Sequence, residues 1–284
     1  MSSPEGWYED PFGRLPLRWW DGAAWSPYAR GTDVVWDPLP ITPVTASRAG
    51  IPAMGVALTG FALGVALSFG VIIALRAAGT PGGVVAELVL GEIALWLPLL
   101  GACGYVSRRR GTGSWRIDFD LRWRPMDIGL GLAGSVAARS SASLALLPIV
   151  VFQFQFRLPD VSAAQSLTHS AAAWAAVILV MCVGAPFVEE LFFRGLIQTR
   201  LAGRYGPVIG IGVTSIMFGS AHLIGWAGPI SLLNALAITG AGVSLGLIRQ
   251  LSNRLGTSMM AHSFFNAQAL IIVALLHSGA FTIR

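Results

Sequence analysis

From residue 51 onward the chain is a succession of apolar runs. Each is close to the ~20 residues that a helix needs to cross the hydrocarbon core of a bilayer. Lipid offers no partners to backbone amides, so runs of this kind are confined to helices or closed barrels. They fall at 52–75, 84–106, 127–152, 171–196, 207–223, 229–248 and 257–277, and the fifth is the shortest. The sequence therefore predicts an all-α, polytopic transmembrane helical bundle of about seven spans, with residues 51–284 as the transmembrane domain. Composition points the same way, with 54% hydrophobic and only 12% charged residues. An ordinary globular chain is about 25% charged. Disorder, a soluble cytosolic enzyme and nucleic-acid binding are poor explanations of such a chain.

The net charge of +5 is better read as topology than as an attraction to nucleic acid. Every basic residue is Arg, and no Lys occurs. With the N-terminus inside, only Arg76, Arg157 and Arg284 fall outside, and Arg139 lies within the third span. The bias of positive charge toward the cytoplasm thus predicts a multi-pass plasma-membrane protein, N-terminus cytoplasmic and C-terminus outside. Trp115, Phe119 and Trp123 interleave with arginines between the second and third spans, which predicts an interfacial segment. Cys103 and Cys182 lie in apolar runs and imply neither a disulfide framework nor C-x-x-C chemistry. The polar, aromatic N-terminus predicts no cleavable signal peptide.

Residues 1–30 read as a separate, small β-rich module. Asp10-Pro11 and Asp21-Gly22 are turn signals, and the aromatic runs between them favour short strands. So small a unit needs a staple or a partner, and clustered tryptophans are expected to form its core. The patterns Trp7-Tyr8-Glu9-Asp10-Pro11-Phe12-Gly13 and Arg18-Trp19-Trp20-Asp21-Gly22, then Trp25, resemble a short aromatic domain of unknown function. That domain stands at the N-termini of many actinobacterial membrane proteins, and the resemblance implies no activity. A peptide-binding face, hence a protein partner for residues 1–30, is the sharper alternative to a packing role. Residues 31–50, with Pro38, Pro40 and Pro43, read as a linker.

Ionisable residues at membrane depth are costly and so are candidate functional groups. Glu87 and Glu92 in the second span suit structural or interfacial roles, with Arg139 as a partner for Glu92. His169 and His277 lie near predicted outer ends. The last four spans differ in kind, carrying Glu189-Glu190-Leu191-Phe192-Phe193-Arg194, Phe218-Gly219-Ser220-Ala221-His222 and His262-Ser263-Phe264-Phe265-Asn266. Residues four apart share a helix face. Glu190 and Arg194 can therefore pair, which leaves Glu189 free, and His262 and Asn266 share a face. A free carboxylate, two histidines and an amide are what water activation and oxyanion stabilisation require. Polar residues that only glue helices together are the plainer alternative.

E-E-x-x-x-R, F-x-x-x-H and H-x-x-x-N, in this order on successive apolar segments, resemble the CPBP family of CAAX proteases and bacteriocin-processing proteins, also called Abi. The resemblance covers about 120–277. It implies an all-helical intramembrane endopeptidase whose cavity opens toward the cytoplasm. By that likeness Glu189 is the base that activates water and His222 assists it. His262 and Asn266 stabilise the oxyanion, and Glu190 with Arg194 holds the site in shape. A membrane-associated peptide or protein is the implied substrate.

Two His and one or two Glu could also hold zinc or another divalent metal through Glu189, His222 and His262. No H-E-x-x-H helix is present, and Arg194 beside Glu190 disfavours a cation there, so a metal-free mechanism is expected. A carrier using the glutamates, or an inactive scaffold, are the competing functions. The spans as drawn contain one conflict. Glu189 and His262 lie ~10 Å from the cytoplasmic edge and His222 over ~20 Å, by helical rise. Either Gly184 and Pro186 break the fourth span, or the 197–212 stretch continues a helix and the fifth begins later.

Overall fold

In the computed structural model the described residues are 4–10, 14–22, 25–37, 50–79, 83–151, 170–223 and 229–277. Two compact units divide the chain, Met1–Val44 and Thr45–Arg284.

The first is a four-stranded antiparallel meander, β1 (Gly6–Glu9), β2 (Leu17–Trp20), β3 (Trp25–Arg30) and β4 (Val34–Trp36), paired in sequence order. Its register sets Trp7 opposite Trp19, Tyr8 opposite Arg18 and Trp20 opposite Trp25. The facing rings meet edge-on, at 5.5 Å for Trp7–Trp19 and 5.3 Å for Trp20–Trp25, a geometry that the ring quadrupoles favour. The tryptophans are only half-buried, however. The fully buried centre is Arg18 with Ala29. Arg18 donates from Nε to Asp10 Oδ1 at 2.7 Å and from Nη1 to the Ser26 and Asp37 carbonyls at 3.2 and 3.0 Å. Its Nη2 pairs with the Asp37 carboxylate. Burial disfavours the charge, yet the hydrogen bonds and fields of Asp10 and Asp37 outweigh it and raise the Arg18 pKa. β4 belongs to the sheet although it falls in the stretch read as linker, and Asp37 just after it is drawn in as a partner of Arg18. Pro38, Pro40 and Pro43 lie outside the described residues.

The second unit is helical: α1 (Gly50–Ala77), α2 (Gly83–Arg110), the short α3 (Trp115–Asp118), α4 (Met126–Val151), α5 (Ala171–Tyr205), α6 (Pro207–Ala221), α7 (Pro229–Ser252) and α8 (Leu255–His277). Six of these are long and apolar enough to cross a membrane, and α6 is a shorter apolar helix. The predicted fold class holds, as an α-helical membrane bundle with a small β module. The fifth predicted span is the exception. At 15 residues α6 rises only ~22 Å, short of the ~30 Å hydrocarbon core.

Small residues bring the helices together. A Cβ on Gly64 of α1 would lie 2.7 Å from the Leu95 carbonyl of α2, and one on Gly60 would lie 2.8 Å from Ala102 Cβ. The segment between α2 and α4 is half as expected. Trp123 and Ile117 are exposed, but Phe119 is buried in the core with Trp115 against it. That segment also pins the start of α8. Arg254 donates to Asp127 from Nε and Nη2 at 2.8 and 2.6 Å, and Thr257 donates to it at 2.6 Å. The backbone amides of Leu255 and Gly256 bond to the Asp120 and Arg122 carbonyls.

Arg139 does not partner Glu92. Its Nη2 donates to the Phe265 carbonyl at 2.6 Å, its Nε to Gln268 at 3.3 Å, and the guanidinium stacks on the Phe265 ring. From α4 it is within reach of α8, and α8 supplies acceptors that satisfy it. Glu87 is paired with Arg76 at 2.8 Å, joining α1 to α2. His169 lies outside the described residues.

Candidate active site

The depth conflict resolves in α5. The helix runs unbroken to Tyr205 and reverses at Gly206, whose φ of +87° suits a residue without a Cβ. Pro186 is absorbed rather than breaking the helix: the stretch before it, Leu179–Gly184, is wound as a π-helix, as is Glu190–Gln198 after Glu189. Wider turns of this kind accommodate a residue that cannot donate to the preceding turn, and they recur at functional sites. Glu189 therefore lies ~24 Å back from the end of α5, and His222 ~22 Å forward from the start of α6, by helical rise. The two positions come to similar depth.

Every residue of Glu190–Gln198 is buried, so this part of α5 is surrounded on all sides. Within it, Arg194 Nη1 donates to Glu190 Oε1 at 2.7 Å, and both side chains have no exposure. Arg194 Nη2 reaches the Gly242 carbonyl of α7 at 3.3 Å, and Gln198 binds the Gly246 carbonyl one turn on, at 3.0 Å. A buried pair so held fixes α5 against α7; removing one partner would leave an uncompensated charge.

His262 enters from α8. Its Nδ1 is 3.1 Å from Glu190 Oε1, and its Nε2 is 3.8 Å from Glu189 Oε2. Glu190, ionised beside Arg194, can only accept, so Nδ1 is the nitrogen that carries hydrogen there. Nε2 is thereby turned to Glu189. The two carboxylates differ in access: the Glu189 side chain is 15% exposed and that of Glu190 not at all. Glu189 is the one that water or a substrate can meet.

His222 closes α6. Its Nδ1 is 2.8 Å from the Phe218 carbonyl, an acceptor, which leaves Nε2 as the available nitrogen. Phe218 lies between the two histidines, with ring centroids 5.0 Å from His222 and 5.6 Å from His262, and Arg194 stacks over it at 4.2 Å. The sequence motif contains Phe218 but assigns it nothing; in the fold it is the packing hub of the site. Asn266, one turn beyond His262, donates to the Met181 carbonyl at 2.7 Å, in the first π-helical stretch of α5. Its amide nitrogen bears a second hydrogen.

Glu189, Glu190, Arg194 and His262 are thus brought together directly, His222 through Phe218, and Asn266 through the α5 backbone. Zinc would need a convergent set of donors. Among the described residues no three His, Cys, Asp or Glu side chains form a group that could hold a metal ion. Glu189, His222 and His262 as arranged do not fit one.

A further helix, α2, frames the site. The Trp96 indole of α2 occupies the space beside Gly184, where an added Cβ would lie 2.6 Å from Trp96 Cζ3. Cys103, two turns further along α2, approaches the Leu191 carbonyl at 4.0 Å. No sequence signal within either helix marks these contacts, which exist only once α2 and α5 pack.

The family model described as Type II CAAX prenyl endopeptidase Rce1-like matches residues 171–268. No curated protein and no solved structure matches the chain. The matched stretch begins with α5 and ends just past Asn266, so it contains all six candidate site residues and leaves out α1 to α4. The match supports a CAAX-protease-like intramembrane endopeptidase, a hydrolase, in a multi-pass membrane protein. Residues 171–268 are thus similar to the Rce1-like family, a likeness consistent with a CPBP family intramembrane protease.

Proposed function

We propose that the chain hydrolyses a peptide bond of a membrane-associated peptide or protein with water activated by Glu189. The observation that carries this reading is the His262 ring, set between a locked carboxylate, Glu190, and an accessible one, Glu189. Glu189 takes a proton from water, and the hydroxide so formed bonds to the scissile carbonyl carbon. The second Asn266 N–H faces the oxyanion, and His262 Nε2, an acceptor while Nδ1 holds the hydrogen, faces the Glu189 carboxyl that carries the proton. As the C–N bond breaks, the proton held by Glu189 passes to the leaving amine, which balances the step. His222, through Nε2, orients the water. Glu190 and Arg194 position His262 and take no proton.

No step is routed through a metal, because the donors do not converge. The proposed topology keeps the N-terminus and the arginine-rich ends of α2 and α7 in the cytoplasm. The full-length protein in lipid nanodiscs, offered a peptide library read by mass spectrometry, tests the reading. Wild type should cleave and Glu189→Gln should not; equal cleavage by both would end it.

A further inference from the structure

We propose that the end of α2 carries a binding site for one anionic phospholipid, with Arg109 and Arg110 holding the lipid phosphate and Tyr105 and Gly101 the start of its chains. The lipid belongs to the leaflet at that end of α2, the cytoplasmic one by the topology proposed above. All four residues lie outside the matched stretch 171–268, and neither the site nor its test depends on peptide cleavage.

A pocket of about 390 Å³ stands at the end of α2, lined by Tyr105, Arg109, Arg110 and Gly111. Its cations are unspent. Arg108, Arg109, Arg110 and Arg116 have no acidic partner among the described residues, whereas Arg122, Arg249 and Arg254 are each paired with Asp120 or Asp127. The acid behind the pocket is Asp118, and it is enclosed. An added Cβ on Gly111 would lie 2.6 Å from its carboxylate, which is buried and accepts from Ser107, Thr112 and Gly113. Asp118 thus shapes the turn that follows α2 and pairs with no arginine of the pocket. Two guanidiniums remain, each a planar fork of donors that matches phosphate oxygens.

Length sets the depth of this pocket. The 28 residues of α2 rise ~42 Å, enough to cross the hydrocarbon core and both headgroup layers, together ~40–45 Å. Its last turn, Arg108–Arg110, therefore stands among headgroups. The surface leading there suits a lipid better than a free ion. Leu97, Gly101, Tyr105 and Arg109 follow one another along an i, i+4 row. Leu97 and Tyr105 are exposed, and an added Cβ on Gly101 would meet nothing within 4 Å. The row is a lipid-facing strip with a notch at Gly101, an interfacial aromatic ring above it and a cation at its end. Beyond the pocket, α3 exposes Ile117 beside Arg116, so apolar and basic groups continue side by side along the surface. Four arginines within residues 108–116, next to a span, attract anionic lipid. The pocket gives one such lipid a fixed place.

The test titrates the full-length protein in detergent with phosphatidylglycerol or phosphatidylcholine and reads bound lipid by native mass spectrometry. Wild type should bind phosphatidylglycerol about tenfold more tightly than phosphatidylcholine. Arg109→Gln and Arg110→Gln should each weaken phosphatidylglycerol about fivefold, the scale of one basic side chain at an anionic surface. Tyr105→Ala should weaken it less. Arg108→Gln, on the same turn but outside the pocket, should change it little. If Arg110→Gln does not fold, the exposed Arg109→Gln decides; if that does not fold either, Arg109→Lys, which loses the fork, is read in its place. Inorganic phosphate in large excess should leave the lipid bound, and its displacement would make this a free-anion site and overturn the proposal. Equal binding of the two lipids, or equal losses in Arg108→Gln and Arg109→Gln, would reduce the effect to the general positive charge of this end and overturn it as well.

Discussion

Gly184 and Trp96 occupy one another's space. The indole lies where any side chain at Gly184 would go, so α2 and α5 meet beside Glu189 only because residue 184 has no Cβ. Gly184→Ala should therefore displace the ring, at an overpacking cost of about 1–3 kcal/mol. Thermal unfolding in detergent checks this. The double change Gly184→Ala, Trp96→Ala should cost less than the two single changes summed, as expected of residues in contact. Additive costs would contradict the packing.

The Glu190–Arg194 pair has no exposure on either side. Truncating one partner, as in Arg194→Leu or Glu190→Leu, should cost about 3–5 kcal/mol, because the survivor is left as a buried charge. Replacing both together should recover part of that stability while activity stays lost, since His262 would have no carboxylate at Nδ1. Unfolding midpoints of the three variants, read beside cleavage, check the prediction.

In the N-terminal sheet the expected weak point is Arg18 rather than any tryptophan. Arg18→Met takes the buried guanidinium away from Asp10 and Asp37, leaving Asp37 its pair with the half-exposed Arg14, and should raise hydrogen exchange across residues 6–36. The unfolding of the helical unit should not move. Hydrogen exchange by mass spectrometry on the intact chain reads both. Trp7→Leu, which removes one half-buried ring, should have the smaller effect.

Cleavage should survive a strong chelator. Glu189, His222 and His262 do not converge as a ligand set, and Glu190 is already engaged by Arg194. Peptide cleavage in nanodiscs with and without chelator, followed by added zinc, measures this; loss on chelation with recovery on zinc would contradict the proposed mechanism.

Much of this architecture was legible in the sequence, for physical reasons. Apolar runs of bilayer length can be little else but helices, and Glu190 with Arg194 four residues on must share a face. What escaped was whatever needs two elements at once. The end of α5 is obscured because 197–206 mixes polar residues with good helix formers, and only Gly206 marks the reversal. Nothing local to Arg18 marks it as buried; that follows only when Asp10 and Asp37 close on it. Glu92 and Arg139 are a plausible pair on paper, but Arg139 faces α8. The Trp96–Gly184 contact joins residues 88 positions apart, and neither carries a local signal.

The most direct test of the central claim is the cleavage rate of Glu189→Gln beside wild type and Glu190→Gln, each confirmed to be folded in nanodiscs. The account predicts that Glu189→Gln lowers kcat by ~10²–10⁴, the range for removing a general base, and leaves the unfolding midpoint close to wild type, since Glu189 pairs with no cation. Glu190→Gln should lose both stability and rate. A Glu189→Gln protein that cleaves at the wild-type rate would contradict the account.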